Sequence, residues 1–451
     1  MAGGTFDKLV GKVRPGTYVN KESTKQDVIA LAERGTVLIP MEMDWGPVHE
    51  FITITNSAPD GQYEKLGYSI YDSDSKNSML KIREAFKLAQ KVIIYRLNSG
   101  TKAVSAAIGS LTATAAYPGT RGNNLKIVIT ANPVSGFDVT VYLDTTAVFS
   151  QEGAATIGDL KSCAWLDWGG TSTAALVATA GTSLTGGEDA DKTNLDVTGF
   201  LDASENEVWN AMAFPFSDAT LQAALKTKIK YFREDVGKMV TAAVPSYIAN
   251  YDGIDSVDNA PILSDGTTLT KEQATAWIAA AAAAADNTTS NTYLVYDGAV
   301  GISGKKTHEE AVAAINAGHM FFSVVDGDIV LEYDINTLTD FTYPKSKDYR
   351  KNRVRRVLDT LDESIQLNFP PNAFDNADES ADSTRPGWGC MESKGRQILT
   401  EFQKAGAIHD VDLDNDFVID REASSGDETY ITVGAAPTDS AEKLYFTVRT
   451  R

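Results

Sequence analysis

Cysteine is almost missing from this chain. In 451 residues there are two, Cys163 and Cys390. Two cysteines cannot build a disulfide framework, and these show no metal-ligand spacing, so a reducing compartment fits. Histidine is nearly as scarce, with His49, His308, His319 and His409 in no recognisable catalytic motif. Basic residues fall short of acidic ones, 41 against 61, giving a net charge of −20. Duplex nucleic acid is repelled by that summed field, and no nucleic-acid partner is expected. Long apolar runs are absent too. The longest, 276–285, is mostly alanine and about half the ~20 residues needed to cross a bilayer, so no membrane insertion is expected. Residues 1–16 carry Lys8, Lys12 and Arg14 but no apolar stretch of signal-peptide length, which predicts no Sec-dependent export. What remains is ordinary for a globular protein: 43% apolar and 23% charged residues, and length enough for about three domains at ~150 residues each.

Residues 1–23 read as an arm, with glycines among the first eleven residues and Arg14-Pro15-Gly16 before the β-prone Thr17-Tyr18-Val19. Residues 24–98 follow as a first α/β part. Thr36-Val37-Leu38-Ile39 reads as a buried strand, residues 79–89 have mostly helical apolar spacing, and Val92-Ile93-Ile94-Tyr95 is a second strand. Composition then breaks: residues 99–186 hold nine charged residues in 88, which marks a boundary and a β-rich insertion with strands at 125–130 and 137–143. From 187 to 343 helix and strand alternate again. A helix is expected over 219–236 and a strand over 239–244. Capping boxes at Thr270-Lys271-Glu272-Gln273 and Thr307-His308-Glu309-Glu310 open two further helices, the first running into seven alanines, 279–285, as a packed internal helix. A hairpin is expected at 321–333, turning at Asp326-Gly327-Asp328.

Residues 344–451 form the last unit. Lys345, Lys347, Arg350, Lys351, Arg353, Arg355 and Arg356 stand against a lone Asp348, a local +6. Val354, Val357, Leu358, Leu361 and Ile365 recur at helical spacing, so this is an amphipathic helix whose basic residues are expected to line its outward faces. Such a face is solvated, meets an acidic protein partner or, least in keeping with the net charge, touches nucleic acid, and on an acidic body it hints at self-complementary subunits. The last β-prone stretch, 443–448, stops near the terminus, where it can pair with another chain.

Three patterns resemble chemistry and fail. His308-Glu309-Glu310 lacks a second histidine, since Val312 stands at that place. The segment 298–307 is glycine-rich, but its phosphate-loop spacing is off by one and Lys306 occupies the magnesium-binding hydroxyl position; a glycine-rich turn into a helix explains it. Asp410, Asp412, Asp414, Asp416 and Asp420 mimic a calcium loop, yet Asn415 replaces the turn glycine and Arg421 the bidentate glutamate. Their alternation with Val411, Leu413 and Phe417 reads as an edge strand with one wet face.

Several separated segments resemble the tail sheath proteins of contractile phages and phage-tail-like bacteriocins, of the Gram-positive type. They are Glu33-Arg34-Gly35-Thr36, Asp44-Trp45-Gly46-Pro47, Tyr117-Pro118-Gly119-Thr120-Arg121-Gly122-Asn123-Asn124, Tyr251-Asp252-Gly253-Ile254, Ala276-Trp277-Ile278-Ala279, Tyr296-Asp297-Gly298-Ala299 and Asp334-Ile335-Asn336-Thr337-Leu338. Lys351-Asn352-Arg353-Val354-Arg355-Arg356-Val357-Leu358-Asp359 and Asp439-Ser440-Ala441-Glu442-Lys443-Leu444-Tyr445 complete the set. Their order along nearly the whole chain makes the match specific.

The resemblance implies a subtilisin-like α/β domain with an inserted β-sandwich domain and a C-terminal α+β domain. It implies no enzyme, since no Asp, His and Ser motif can be placed, and no cofactor or metal. It further implies a sheath that polymerises round an inner tail tube, as a helical homopolymer of stacked hexameric rings with baseplate and tail terminator proteins as partners. Such a sheath is assembled in the host bacterial cytoplasm and contracts to drive the tube through a cell envelope. Strand exchange between neighbours falls on Thr17, Tyr18 and Val19 and on Leu444, Tyr445, Phe446, Thr447 and Val448. Lattice contacts are expected at Arg350, Lys351, Arg353, Arg355 and Arg356, and tube contacts at Lys394, Arg396 and Lys404 on a helix-like run. The competing readings are a surface-layer or adhesive protein and a subtilisin-like hydrolase.

Overall fold

The computed structural model describes residues 35–72, 78–371, 387–425 and 427–450. Its first layer is a seven-stranded sheet in the order His319–Met320, Ile254–Val257, Thr241–Pro245, Ala211–Ala213, Thr36–Met41, Lys91–Arg96, Phe51–Thr55. Every neighbouring pair is parallel except the last, where Phe51–Thr55 runs against Lys91–Arg96. A mostly parallel sheet must have both faces covered, and its central strands therefore read as continuous apolar runs.

Alternate side chains feed two cores. Val37, Ile39, Val92 and Ile94 face one way, with Trp277 and the alanine helix Lys271–Ala284. Leu38, Ile93 and Met212 face the other, with Phe200, Leu225 and Ile229 of the helices Asn194–Ala203 and Ala219–Tyr231. Ala274 through Ala283 are all buried in the alanine helix, because a methyl side chain lets its backbone lie close to the strands. Both expected capping boxes form, at Thr270 and Thr307. The helix expected to run to 236 stops being α at Tyr231 and closes in a π turn, Phe232–Val236, ended by Gly237 at φ 76°. The hairpin Phe322–Val325 with Asp328–Leu331 turns at Asp326 and Gly327, at φ 51° and 99°, the two positive values a two-residue hairpin loop requires.

The charge-poor stretch forms the second layer, a seven-stranded antiparallel sheet in the order Leu166–Gly169, Thr112–Ala115, Val104–Ser105, Thr179–Thr185, Leu125–Ala131, Phe137–Leu143, Thr146–Ala154. Strict alternation puts Leu125, Ile127 and Ile129 inward beside Val139, Val141 and Leu143. Trp45, from the loop after the first strand, plugs this same core. It stacks on Trp165 at 5.6 Å, meets Tyr117 edge-on at 5.4 Å, and donates its indole N–H to Glu64 O at 2.8 Å. One residue thus ties the inserted unit to the parallel sheet.

The last unit holds the helices Asn352–Asn368 and Trp388–Lys404, the hairpin Phe417–Ser425 with Glu428–Val433, and a short pair, Ile408–His409 with Ala436–Pro437. Gly395 lets the second helix lie flat on Phe417: a Cβ there would sit 2.2–2.3 Å from the ring. Two sequence expectations are corrected here. Residues 410–416 are a turn rather than an edge strand: the Asp412 carboxylate accepts from Asp414 N–H and Asn415 Nδ2, and Asp416 accepts from Asp412 N–H. Alternating acids imitated a strand while their short side chains were capping backbone. The glycine-rich 298–307 segment is mostly strand, Ala299–Ser303, paired with Ala260–Leu263. Among the described residues no helix is long and apolar enough to cross a membrane.

Candidate assembly surfaces

The basic helix is turned inward. Arg355 is buried, donating to Asp252 O at 2.9 Å and lying 3.5 Å from Asp255. Arg356 is buried as well, holding Asp286 O at 2.8 Å and Thr289 O at 2.6 Å. Arg350 donates to Ile315 O, Arg353 to the Ser440 hydroxyl at 2.6 Å, and Lys351 pairs with Asp439 and Glu442 at 2.7 and 2.8 Å. The expectation that these residues line outward faces is therefore corrected: each reaches a partner in its own chain, and Arg355 and Arg356 present no surface to a neighbour. The helix is a joint between the parallel-sheet unit and the C-terminal unit.

Two residues that no local pattern singles out complete the joint. Arg233, on the π turn, grips Asp359 through both carboxylate oxygens at 3.0 and 2.6 Å. Burial alone would lower its affinity for a proton, but the Asp359 charge outweighs that and holds it above the ordinary value. Asp255 sits in the middle of a strand, fully enclosed; burial pushes its carboxyl up to about 6 against the pull of Arg355. Their partners lie about 100 residues away along the chain, beyond the reach of any local pattern.

The C-terminal segment behaves differently. After Thr438, whose N–H reaches Ala407 O at 2.9 Å, the described residues form no strand. Glu442 is held, accepting from the Ser290 and Thr292 hydroxyls at 2.8 Å each. Beyond it Leu444, Tyr445, Phe446 and Val448 are 67–90% exposed, and 443–450 have no partner strand among the described residues. Four large apolar side chains together in water are a costly arrangement for a lone chain. The other arm, Thr17, Tyr18 and Val19, lies outside the described residues.

Unpaired strand edges are also present. The strands Phe417–Ser425 and Glu428–Val433 pair only with each other among the described residues. Their inward row runs from Phe417 and Ile419, both buried, to Ile431 and Val433, which are only half covered. On the helix behind them Lys394 and Arg396 are half-buried and Lys404 is exposed, paired with Glu401 at 2.8 Å. These three fall on the helix expected for them, with Gly395, Ile398, Leu399 and Phe402 on its buried side.

Among the described residues no hydrolytic site is assembled. Ser256 Oγ lies 2.8 Å from His319, but through Nδ1, and Ser256 is completely buried while accepting from Tyr247 N–H. A nucleophile needs an open side and a base reached by the other ring nitrogen. Asp258, close by, is held well below the carboxylate range by Lys271 and Lys306 despite its partial burial, so it is engaged elsewhere. Among the described residues no three His, Cys, Asp or Glu side chains are placed to hold a metal.

Comparison with known proteins bears on this geometry over the whole chain. Four family descriptions match in succession: the tail sheath protein Gp18 domain III N-terminal region at 34–97, the phage tail sheath protein beta-sandwich domain at 98–189, the phage tail sheath protein central domain at 190–337, and the phage tail sheath C-terminal domain at 344–451. The phage-like element PBSX protein XkdK of Bacillus subtilis is 34% identical over 99% of each chain. The crystal structure of a sheath tail protein from Desulfitobacterium hafniense is 36% identical, with TM-score 0.82 over 97% of this chain and 100% of that one. The helical sheath of the anti-feeding prophage in its contracted state shares the fold at 13% identity, with TM-score 0.54 over 98% and 100% of the two chains.

Proposed function

The chain belongs to the phage tail sheath protein family, and from that premise we propose that it polymerises by lending its terminal strands to neighbouring copies. It is a structural component of a phage tail or phage-tail-like particle, not an enzyme. The observation that carries the proposal is the pairing of a donor with an acceptor on one chain. Among the described residues Leu444, Tyr445, Phe446, Thr447 and Val448 are exposed without a partner strand, and the hairpin 417–433 has an unpaired edge. In a strand, Leu444, Phe446 and Val448 share one face. Laid beside Glu428–Val433, they continue the apolar row of Ile431 and Val433 and cover the rim that the chain leaves half exposed. About five backbone hydrogen bonds at ~0.5–1.5 kcal/mol each make one such strand worth several kcal/mol, and a lattice repeats it at every copy.

On this reading subunits form a helical polymer of stacked hexameric rings around an inner tube, bounded by baseplate and terminator proteins, and assembled in the host cytoplasm. Thr17, Tyr18 and Val19 serve as the second exchanged strand. Lys394, Arg396 and Lys404 face the tube. Of the five lattice candidates, Arg350, Lys351 and Arg353 keep that role only at their solvent edges, and Arg355 and Arg356 lose it. The parallel-sheet unit is read as subtilisin-like in fold, without its chemistry. Contraction needs no nucleotide: the extended lattice is metastable, and the contracted one buries more complementary surface. Removal of residues 1–20, or separately of 444–451, is expected to leave a folded monomer that forms no connected tubes in electron micrographs. Normal tubes from either truncation would end the proposal.

A further inference from the structure

Two of the segments that carry the resemblance, 351–359 and 439–445, touch each other. Lys351 stands between Asp439 and Glu442, at 2.7 and 2.8 Å, and Arg353 holds the Ser440 hydroxyl at 2.6 Å. Glu442 completes the contact from the other side, accepting from Ser290 and Thr292 on the parallel-sheet unit. Its side chain is 10% exposed, in a tail that is otherwise open to solvent from Lys443 onward. Burial would lower the Lys351 proton affinity, yet its two acidic partners raise it, so the ammonium is held charged where it stands. We infer that this contact is a releasable clamp that stores slack in the C-terminal linker and sets how far the exchanged strand can reach.

The length of free chain differs between the two states of the clamp. With the clamp closed, the free segment begins at Lys443, beside the ring of Tyr333. With it open, the nearest remaining tether is Thr438 N–H on Ala407 O, following the short pair Ala436–Pro437 with Ile408–His409. Residues 439–442 then join the linker. At 3.3–3.6 Å per residue, four residues add about 13–14 Å of reach. The seam is made of charges and hydroxyls, partly covered rather than sealed among packed apolar groups, so water and salt can replace each contact as it opens. A linker that must stay paired while subunits shift needs reach in one state and tautness in the other. The clamp supplies both with one lysine and one glutamate.

This inference depends on the strand-exchange reading, and its test separates the two. The monomer is labelled with spin probes through Phe446→Cys and Gln397→Cys, with Cys163 and Cys390 changed to Ser. Lys351→Ala is expected to move the long edge of the distance distribution outward by up to about 13–14 Å, Lys351→Arg to restore it, and 1 M salt to reproduce the Lys351→Ala result in the parent protein. Superimposable distributions for the parent and Lys351→Ala, with circular dichroism showing both folded, would overturn the clamp. In assembled particles Glu442→Ala, which touches no lattice candidate, should still build tubes, because residues 444–448 are untouched, but the contracted fraction at 0.15 M salt should rise at least about threefold. An unchanged fraction would overturn the clamp's part in contraction. Normal tubes from the chain lacking 444–451 would overturn strand exchange itself, whatever the probes report.

Discussion

Asp359→Ala puts the inward reading of the basic helix at risk. Arg233 and Asp359 are 7% and 5% exposed and joined by two hydrogen bonds. Removing the carboxylate leaves a guanidinium enclosed without its counter-charge, and breaking a buried pair from one side costs about 3–5 kcal/mol. At roughly 2–4 °C per kcal/mol for a unit of 150–250 residues, the transition that includes the joint should fall by on the order of 10 °C in a calorimetric scan of the monomer. Arg233→Met with Asp359→Leu removes both charges and fills the volume, so it should stay within about 1–2 kcal/mol of the parent. The contrast between single and double variants is the signature of an internal pair. If Asp359→Ala melted like the parent while tubes failed to form, the helix would be a lattice face and the joint described here would be wrong.

Three further outcomes follow from individual contacts. Gly395→Ala places a methyl group 2.2–2.3 Å from the Phe417 ring, and such overpacking should destabilise the C-terminal unit by about 1–3 kcal/mol in a denaturant titration; an unchanged midpoint would show that the helix does not lie on that strand as described. Trp45→Ala empties a fully buried site shared by two units, at a cost of about 3–5 kcal/mol, and should let the inserted sheet melt separately and be nicked near residues 98 and 187; a single cooperative transition at the parent temperature would contradict it. Asp255 has its folded value pushed up to about 6 from the ordinary 3.8, so its favourable contribution is complete below about pH 4 and is lost as pH rises through 6. Relative to Asp255→Asn, the parent should therefore gain stability, by up to about 3 kcal/mol, between pH 7 and pH 4; a difference that stays flat with pH would refute the buried charge.

Much of the architecture was legible because local chemistry forces it. Thr270 and Thr307 each sit three residues before a Gln or Glu, and both capping boxes form. Asp326-Gly327 supplies the two positive φ values of its hairpin. The scarcity of charge in 99–186 reflects a sheet whose inward rows are filled by Val, Ile, Leu and Ala. The failures have physical reasons as well. Helical periodicity locates the apolar stripe of Asn352–Asn368 but is silent on whether its arginines meet water or buried acids. Those acids, Asp255, Asp334 and the carbonyls near Asp286, come from distant segments. At 410–416 alternating aspartates have the period of a strand, and only their hydrogen bonds to nearby N–H groups reveal a turn. The tail was recognisable as β-prone from Leu444 to Val448, whereas its tether to Lys351 and Ser290 joins polar residues 88 and more positions apart and leaves no pattern to read.

Strand exchange is decided by where residues 444–448 go in the polymer. A density map of the assembled sheath, sharp enough to trace each linker between copies, measures this directly. The prediction is that these residues of one copy hydrogen-bond to the Glu428–Val433 edge of a neighbour, with Phe446 on the row of Ile431 and Val433. A map in which they fold back on the hairpin of their own chain, or lie unpaired in solvent, would contradict it.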